Sequence, residues 1–385
     1  MPVPIDDLPH NARQVAKYLF CPGFFPDNAD LLTVMRQLTT LSPDNFIKEL
    51  DELSPSQFGA LPVTELQNNH LIADTITSHV ESYYWCNDCK NRETCPPIED
   101  ETTVWITPVA QWQHEHGYEE QLGFNTSTFG FSLGASHLFS SWLHFSTGAG
   151  YSHTSLGWKE NGGKGSWDSI YLAPSIGFVN KRWYCNFLMQ GSFNYYDIKR
   201  EICFPGLART ARNHHHSYGV LGRFDSGYKI TFTNTENDHP LSVIPTFRLS
   251  YLNLFEEGYT ESGAGSINLK VDPKYSAFLQ PELLIKLLKE VYMNHSCLST
   301  ALYLGYVSNV QLSSANYTSR FAVDEPFCKS DFTVRSFNKT TNQLLVGVNL
   351  LLKMAHQFEI GLDYEGRFFD NLYINSARFH IEKKF

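Results

Sequence analysis

Cysteine residues have the clearest spacing for chemistry in this chain. Cys86, Cys89 and Cys95 form a C-x2-C-x5-C cluster that matches three of the four ligands of a zinc site. No fourth ligand follows at zinc-ribbon spacing, and the nearest histidines are His114 and His116. Disulfide pairing is therefore the favoured interpretation for an exported chain, and no metal site is predicted.

Two other motifs are weakened by their context. Gly130-Phe131-Ser132-Leu133-Gly134 matches the G-x-S-x-G nucleophile motif, which needs a strand-to-helix turn, but here it lies inside a strand pattern. His214, His215 and His216 could bind a metal, although a solvated loop is the favoured interpretation. We predict no catalytic residue, no cofactor and no enzyme. A surface hydrolase using loop residues such as His214 or Asp324 is kept as a third hypothesis.

The composition excludes several classes of protein. Aromatic residues make up 14% of the 385 residues and charged residues only 18%, a balance typical of outer-membrane strands with aromatic girdles. The net charge of −10 argues against a nucleic-acid-binding protein, which needs clustered lysine and arginine. No run reaches the roughly 18 apolar residues of a spanning helix, so a helical membrane protein is excluded.

The elements that must position these residues are strands, and the last ten residues show this best. Apolar side chains alternate with polar or charged ones up to the terminal Phe385, as period-two alternation in a strand requires. One apolar face and one charged face are typical of a membrane β-barrel with lipid outside and a hydrated lumen inside. The mainly apolar face carries Ala377, Phe379, Ile381, Lys383 and Phe385, and the opposite face carries Ser376, Arg378, His380, Glu382 and Lys384.

The same alternation predicts an all-β membrane protein with about twelve antiparallel strands in a transmembrane barrel. The predicted strands are 103–114, 123–138, 143–159, 167–179, 182–199, 217–232, 241–255, 274–288, 296–312, 343–353, 357–369 and 373–385. Four charges on one face of the eleventh strand indicate a hydrated lumen, because burying unpaired charge is costly. The predicted lumen-facing residues are Glu359, Asp363, Glu365, Arg367 and Arg248.

The connections and the N-terminal part complete the predicted organisation. Short connections follow the second, fourth and tenth strands, and longer ones follow the third, fifth, seventh and ninth, as in outer-membrane barrels. The connections after the sixth and eighth strands are longer than this rule expects. Cys203 and Cys328 fall in predicted long loops, where a disulfide between them is one hypothesis. The predicted domains are an unassigned N-terminal remnant (1–40), a helical linker with a pore helix and the cysteine cluster (41–101), and the barrel (102–385).

Several segments resemble the β-domain of autotransporters, the translocators of type V secretion. They are the Leu-Ser-Pro linker from Leu41, the polar helix with Gln67-Asn68-Asn69, the Gly-Phe-Asn-Thr-Ser-Thr-Phe-Gly-Phe strand from Gly123, residues 245–269 and the aromatic C-terminus. The resemblance implies a twelve-stranded barrel in the bacterial outer membrane, with a helix plugging the pore and an upstream passenger at the cell surface. The implied pore-helix residues are Leu66, Asn68, Asn69, Ala73 and Thr77.

The resemblance also implies partners. Phe379, Ile381 and Phe385 would form the strand that the outer-membrane assembly machinery recognises, in a protein embedded in outer-membrane lipid. Some relatives cleave at an asparagine of the pore helix, but a polar lumen contact is the favoured role of Asn68 and Asn69. The first residues lack an export signal and a repetitive passenger, which favours a fragment or a vestigial secretion role. The alternative is a porin-like channel without a passenger, in which residues 66–80 would not occupy the lumen.

Overall fold

Twelve long antiparallel strands form a closed barrel in the computed structural model. The structure describes residues 1–85, 101–117, 120–180, 182–232, 240–293, 296–325, 327, 329–336, 341–354, 357–369 and 371–385. The barrel strands are β1 (Glu101–Glu115), β2 (Phe124–Ser140), β3 (Leu143–Trp158), β4 (Gly163–Val179), β5 (Trp183–Phe204), β6 (Leu207–Tyr228), β8 (Leu241–Glu256), β11 (Lys274–Met293), β12 (Ser296–Gln311), β15 (Thr341–Met354), β16 (Phe358–Phe368) and β17 (Leu372–Lys384).

The first and last strands close the sheet. β1 pairs with β2 on one side and with β17 on the other, with Val104 opposite Lys383. The terminal Phe385 donates its backbone N–H to the carbonyl oxygen of Thr102 at 2.8 Å. A closed barrel satisfies strand hydrogen bonds without leaving an edge, which is the condition for a sheet in lipid. The predicted fold class is therefore confirmed.

Side chains alternate between an exposed apolar wall and a buried interior. Leu172 and Met189 are each 62% exposed on the outside, whereas neighbouring inward residues are buried. In β17, Phe379 points outward and His380 and Glu382 point inward, as the terminal alternation predicts. Period-two alternation thus places an apolar face outside and a mainly polar face inside over the middle of the barrel.

Two connections differ from the predicted pattern. The predicted loop over 200–216 is the top of a hairpin, since β5 continues to Phe204 and β6 begins at Leu207. The connection after the eighth barrel strand is also short, because β11 continues to Met293 and β12 begins at Ser296. At the first of these hairpins the outward face of β6 carries Thr210, Arg212, His214 and His216, so the apolar outer face that marks a membrane strand in a sequence is missing there.

In the described part of the chain, four α-helices precede the barrel: α1 (His10–Leu19), α2 (Ala29–Thr39), α3 (Pro43–Glu52) and α4 (Ala60–Trp85). The side chain of Asn28 caps α2 by accepting hydrogen bonds from the backbone of Asp30 and Leu31. Pro43 follows Ser42 and occupies the first turn of α3, where its missing N–H costs no helical hydrogen bond. Short 3-10 turns lie at Ile5–Asp7, Ser56–Gly59 and Gly265–Ile267.

Residues 1–59 and a small sheet form what we call the cap. The sheet consists of β9 (Tyr259–Thr260), β10 (Leu269–Val271), β13 (Tyr317–Phe321) and β14 (Phe332–Val334), and the remaining short strand, β7 (Ile230–Phe232), extends the barrel sheet beside β8. Residues 1–40, for which the sequence supports no role, share one hydrophobic core with α3 and this sheet. Tyr18 stacks on Phe327 with ring centroids 4.3 Å apart.

The cap lies over one end of the barrel, which we call the cap end. The same core includes Trp158, Trp167 and Phe204, which lie at strand ends on that side. The opposite end holds Phe385 and is called the C-terminal end. Cys21 is disulfide-bonded, while Cys203 is an exposed free thiol, so the hypothesis of a bond between Cys203 and Cys328 is wrong. The cluster of Cys86, Cys89 and Cys95 lies outside the described residues, as Cys328 does.

Candidate functional site

Helix α4 runs through the lumen of the barrel. Its 26 residues span about 39 Å at the rise of an α-helix. From Ala60 to His79 only Val63 and Ser78 are partly exposed, although the helix carries polar side chains on every side. A helix that is polar all round has no apolar stripe to stabilise it alone, so the wall must supply its partners. The predicted helix in the pore is confirmed, and contacts along its length hold it there.

Near the cap end, amide groups of the helix bond to hydroxyl and amide groups of the wall. Asn68 Oδ1 accepts a hydrogen bond from Thr128 Oγ1 at 3.0 Å, and Asn68 Nδ2 donates to Thr154 Oγ1 at 3.0 Å. Asn69 Oδ1 accepts from Gln190 Nε2 at 2.9 Å. Both asparagines are therefore committed to lumen contacts inside a continuous helix.

At mid-height, four arginines of the wall converge on one aspartate of the helix. The carboxylate of Asp74 lies 2.5 Å from Arg223, 3.0 Å from Arg378, 3.2 Å from Arg248 and 3.7 Å from Arg367. These arginines come from β6, β17, β8 and β16 respectively. We call Asp74 and these four residues the arginine cluster. It connects the helix to both halves of the barrel wall.

The arginine cluster is balanced by acidic residues of the wall. Arg248 also contacts Asp225 at 2.5 Å and Glu282 at 3.1 Å. Arg378 contacts Asp363 at 2.5 Å and Arg367 contacts Glu365 at 2.7 Å. Buried charges are tolerated only when they are paired and hydrogen-bonded. Arg223 differs from the other three, because Asp74 is the only carboxylate with which the described residues give it an ion pair.

Towards the C-terminal end, two further contacts fix the helix. His79 Nδ1 lies 2.6 Å from Glu382 Oε2, and its ring stacks on Trp105 with centroids 4.2 Å apart. Glu81 accepts hydrogen bonds from Tyr184 at 2.9 Å and from Lys286 at 2.5 Å. Polar contacts therefore extend along most of the length of α4.

One side of the helix packs closely against glycines of the wall. A Cβ atom added at Gly148 would lie 3.1 Å from Ile76 and 2.8 Å from Trp105. A Cβ atom added at Gly150 would lie 3.1 Å from Ile72. Glycine at these two positions lets the strand approach the helix at the distance of direct apolar contact.

The remaining predicted residues have these positions. Leu66, Ala73 and Thr77 are buried on α4 inside the barrel, and Ile381 and Phe385 lie on the outer wall with Phe379. Glu359 faces inward and bonds Lys384 at 2.8 Å. Sequence reasoning missed Asp74, Arg223, Glu81 and Glu382 as partners. The available signal in the sequence was a charged side chain at a position expected to face the interior of the barrel.

The motifs with possible chemistry are explained by the strands. Ser132 lies in mid-strand with its hydroxyl 2.6 Å from that of Thr75, so it occupies no nucleophile turn. The histidine tract is part of β6, so the predicted loop there is wrong. Alternation sends His215 into the interior and His214 and His216 to the outside, which prevents the three from meeting at one metal ion.

A cavity of about 700 Å³ remains between the cap, the first turns of α4 and the opposite wall. Its lining includes Gln67, Asn309, Arg335 and Asn371. Asn11 and Arg335 exchange two hydrogen bonds of 2.8 and 2.9 Å at its roof. Helix, cap and wall together thus leave a chamber beneath the cap that is lined by both polar and apolar side chains.

Charge contacts also attach the cap to the barrel. Arg209 of β6 contacts Asp30 of α2 at 2.5 Å, and this hydrogen bond holds the pKa of Asp30 below its ordinary value. Arg200 of β5 contacts Glu261 at 2.6 Å with both side chains fully buried. In α3, burial and the neighbouring Glu52 raise the pKa of Glu49 to about 8.

No helix of the described residues is long and apolar enough to cross a membrane. The sequence from residue 104 to residue 365 matches the family model described as the autotransporter β-domain. The chain belongs to the autotransporter β-domain family. It is a translocator domain, and its family and fold point to the bacterial outer membrane. No curated protein matches the sequence closely enough to be counted as a relative.

Solved translocator structures share this fold. The translocator domain of the autotransporter NalP from Neisseria meningitidis is 12% identical, with a TM-score of 0.58 over 86% of this chain and 99% of that one. The β-domain of the Bordetella autotransporter BrkA is 11% identical, with a TM-score of 0.56 over 74% of this chain and 100% of that one. Identities this low establish the shared architecture alone.

Proposed function

We propose that this translocator domain stands in the outer membrane with its cap end outside and carries or anchors an N-terminal passenger at the cell surface. The observation that carries the proposal is the path of α4 through a closed barrel. Any polypeptide joined before α4 emerges at the cap end. Since outer-membrane barrels have short periplasmic turns, the short turns that follow β2, β4, β11 and β15 at the C-terminal end support this orientation.

The proposed mechanism is physical and needs no catalytic group. During transport, polar side chains of the lumen offer an unfolded segment a hydrated path. After transport, the arginine cluster and the hydrogen bonds of Asn68 and Asn69 retain α4 as a plug. Ala73 and Thr77 lie on the same part of α4. Among the predicted lumen-facing residues, Arg248 and Arg367 bind Asp74 directly, and Asp363 and Glu365 bind arginines of the cluster. Glu359 contacts Lys384 near the C-terminal end. Residues 1–59 and the small sheet then cover the outer mouth.

We further propose that the last strand is the segment recognised by the barrel assembly machinery. Phe379, Ile381 and Phe385 lie on the lipid-facing wall of β17, and Phe385 is 65% exposed at the end of the chain. Exposed apolar side chains of β17 would be accessible to the assembly machinery before this strand pairs with β1. Outer-membrane lipid would contact the same wall after insertion.

The orientation is tested with an epitope joined to the N-terminus and expressed behind an export signal. We expect protease added to intact cells to remove this epitope while the barrel stays whole. A control epitope in the turn between Ser140 and Leu143, at the C-terminal end, should be cut only after the outer membrane is permeabilised. Cleavage of the control alone in intact cells would contradict the proposed orientation.

The porin-like alternative is less well supported because residues 66–79 fill the lumen. Deleting residues 66–80 should raise single-channel conductance if the helix is a plug. Unchanged conductance in a folded barrel would favour a channel in which the segment does not block the pore.

A further inference from the structure

The outward faces of β4, β5 and β6 change character near the cap end. Up to Ile170, Phe193 and Tyr218, these faces are apolar or aromatic and exposed. Beyond this band, which on β5 also includes Tyr195, most outward residues are polar or charged, although the strands continue for up to five further outward positions. Aromatic residues at the edge of an apolar band mark the membrane interface. The outward residues beyond the band therefore stand at the depth of lipid headgroups.

Three basic residues lie side by side in this zone. Lys164 of β4 is directly opposite Lys199 of β5, which is directly opposite Arg212 of β6. Side chains in such register have Cβ atoms about 4.5–5.5 Å apart, and like charges placed opposite one another are destabilising. No ion pair joins any of the three to an acidic side chain within the described part of the chain. We call them the basic row.

Three of the outward acidic residues near the basic row face histidines, whereas Glu201, the next outward residue of β5 after Lys199, lies opposite Thr210. His153 lies 2.9 Å from Asp168, His214 lies 3.8 Å from Asp197 and His216 lies 3.4 Å from Glu257. These pairs form a layer between the aromatic band and the basic row.

Below this layer is a surface suited to acyl chains. The ring of Tyr195 stacks on His214 with centroids 6.2 Å apart and an interplanar angle of 8°. Phe193 packs on Tyr218 at 5.3 Å, and Ile170 and Leu172 are more than 60% exposed further along β4. A molecule that matches this wall has apolar chains next to anionic groups.

We propose that the basic row binds the phosphate groups of a phosphorylated glycolipid in the leaflet beside the cap end. Lysine and arginine make charge-assisted hydrogen bonds to phosphate oxygens, and a phosphate bound between them offsets their mutual repulsion. A lipid is favoured over free phosphate because the row adjoins an exposed apolar wall. The inference goes beyond passenger transport and rests only on the proposed position in the outer membrane.

The test is lipid binding to the purified full chain in detergent, measured by native mass spectrometry. The probes are lipid A with both phosphates, lipid A without phosphate, and inorganic phosphate. We expect diphosphorylated lipid A to bind roughly tenfold or more tightly than the dephosphorylated form. The triple variant K164Q/K199Q/R212Q should lose this preference, and K164R/K199R should keep it.

A control variant, K17Q/R36Q/K48Q, removes the same charge from exposed helices of the cap and should bind like the unchanged protein. Resistance to unfolding in a heat-modifiability gel confirms that each barrel is folded. Equal binding of both lipids, equal loss in the control variant, or phosphate binding as tight as lipid binding would overturn the proposal. Because the assay needs no cell, its failure is distinguishable from failure of the orientation test.

Discussion

Replacing Asp74 with asparagine is the sharpest perturbation of the plug, because it keeps the shape of the side chain and removes one charge. Four arginines lose a shared carboxylate, but three of them retain another acidic partner. Arg223 alone loses its carboxylate partner among the described ion pairs. Breaking a buried ion pair from one side costs about 3–5 kcal/mol, and the partial compensation places D74N near about 3 kcal/mol.

This loss applies to retention of α4 and leaves the barrel folded. A change of about 3 kcal/mol shifts the equilibrium between helix inside and helix outside the lumen by roughly 150-fold. Planar-bilayer recordings of D74N should therefore show frequent openings that the unchanged protein rarely shows. D324N, which removes a charge from an exposed residue between β13 and β14, is the matched control and should record like the unchanged protein.

A second substitution isolates the pair from general damage. R223Q alone should also increase openings, and D74N/R223Q should cost less than the sum of the two single changes, because the second change then removes no intact pair. Recordings of D74N that match the unchanged protein, from a barrel shown to be folded by heat modifiability, would refute the assigned role of the arginine cluster.

Three further changes have defined outcomes. Gly148→Val should weaken packing of α4 by about 1–3 kcal/mol and increase protease cutting of the helix. Gly191→Val is the control and should leave cutting unchanged, because no atom lies within 4 Å of the added Cβ. Equal cutting of the two variants would contradict the packing argument. Burial and the charge of Glu120 raise the pKa of Asp51 to about 7, so its folded form binds a proton more tightly than its unfolded form. The free energy of unfolding of the cap should therefore fall as the pH rises from about 4 to about 7. Hydrogen exchange of α1–α3 measures this pH dependence, and D51N should make it less steep. An identical pH dependence in D51N would refute the argument. Phe385→Ser should lower the amount of assembled barrel on heat-modifiability gels, and F25S, also at an exposed phenylalanine, should not.

The barrel was predictable because strand alternation is a local property. Successive side chains of β17 alternate between the lipid-facing and the lumen-facing side, so ten residues are enough to show both faces. The polar helix could be placed in the lumen for a similar reason. A helix with polar side chains on all sides needs polar partners all round, and the interior of the barrel supplies them. The family resemblance pointed to the same segment.

The cap and the arginine cluster depend on contacts between distant parts of the sequence. Tyr18 meets Phe327 across about three hundred residues, and no local pattern in either segment announces that contact. Asp74 likewise looks like an ordinary solvated residue until strands β6, β8, β16 and β17 bring arginines to it. The sequence predicted a hydrated lumen, whereas in the structure the four arginines at mid-height of the lumen form ion pairs with Asp74 of the helix.

The position of α4 inside the barrel is tested most directly by a designed cross-link. Thr75 and Ser132 have hydroxyl oxygens 2.6 Å apart, one on the helix and one on β2. T75C/S132C should form a disulfide under mild oxidation, seen by mass spectrometry of the digested protein, while T75C/S175C, with an inward residue of β4, should not. Absence of the T75C/S132C cross-link in a folded barrel would contradict a helix seated in the lumen.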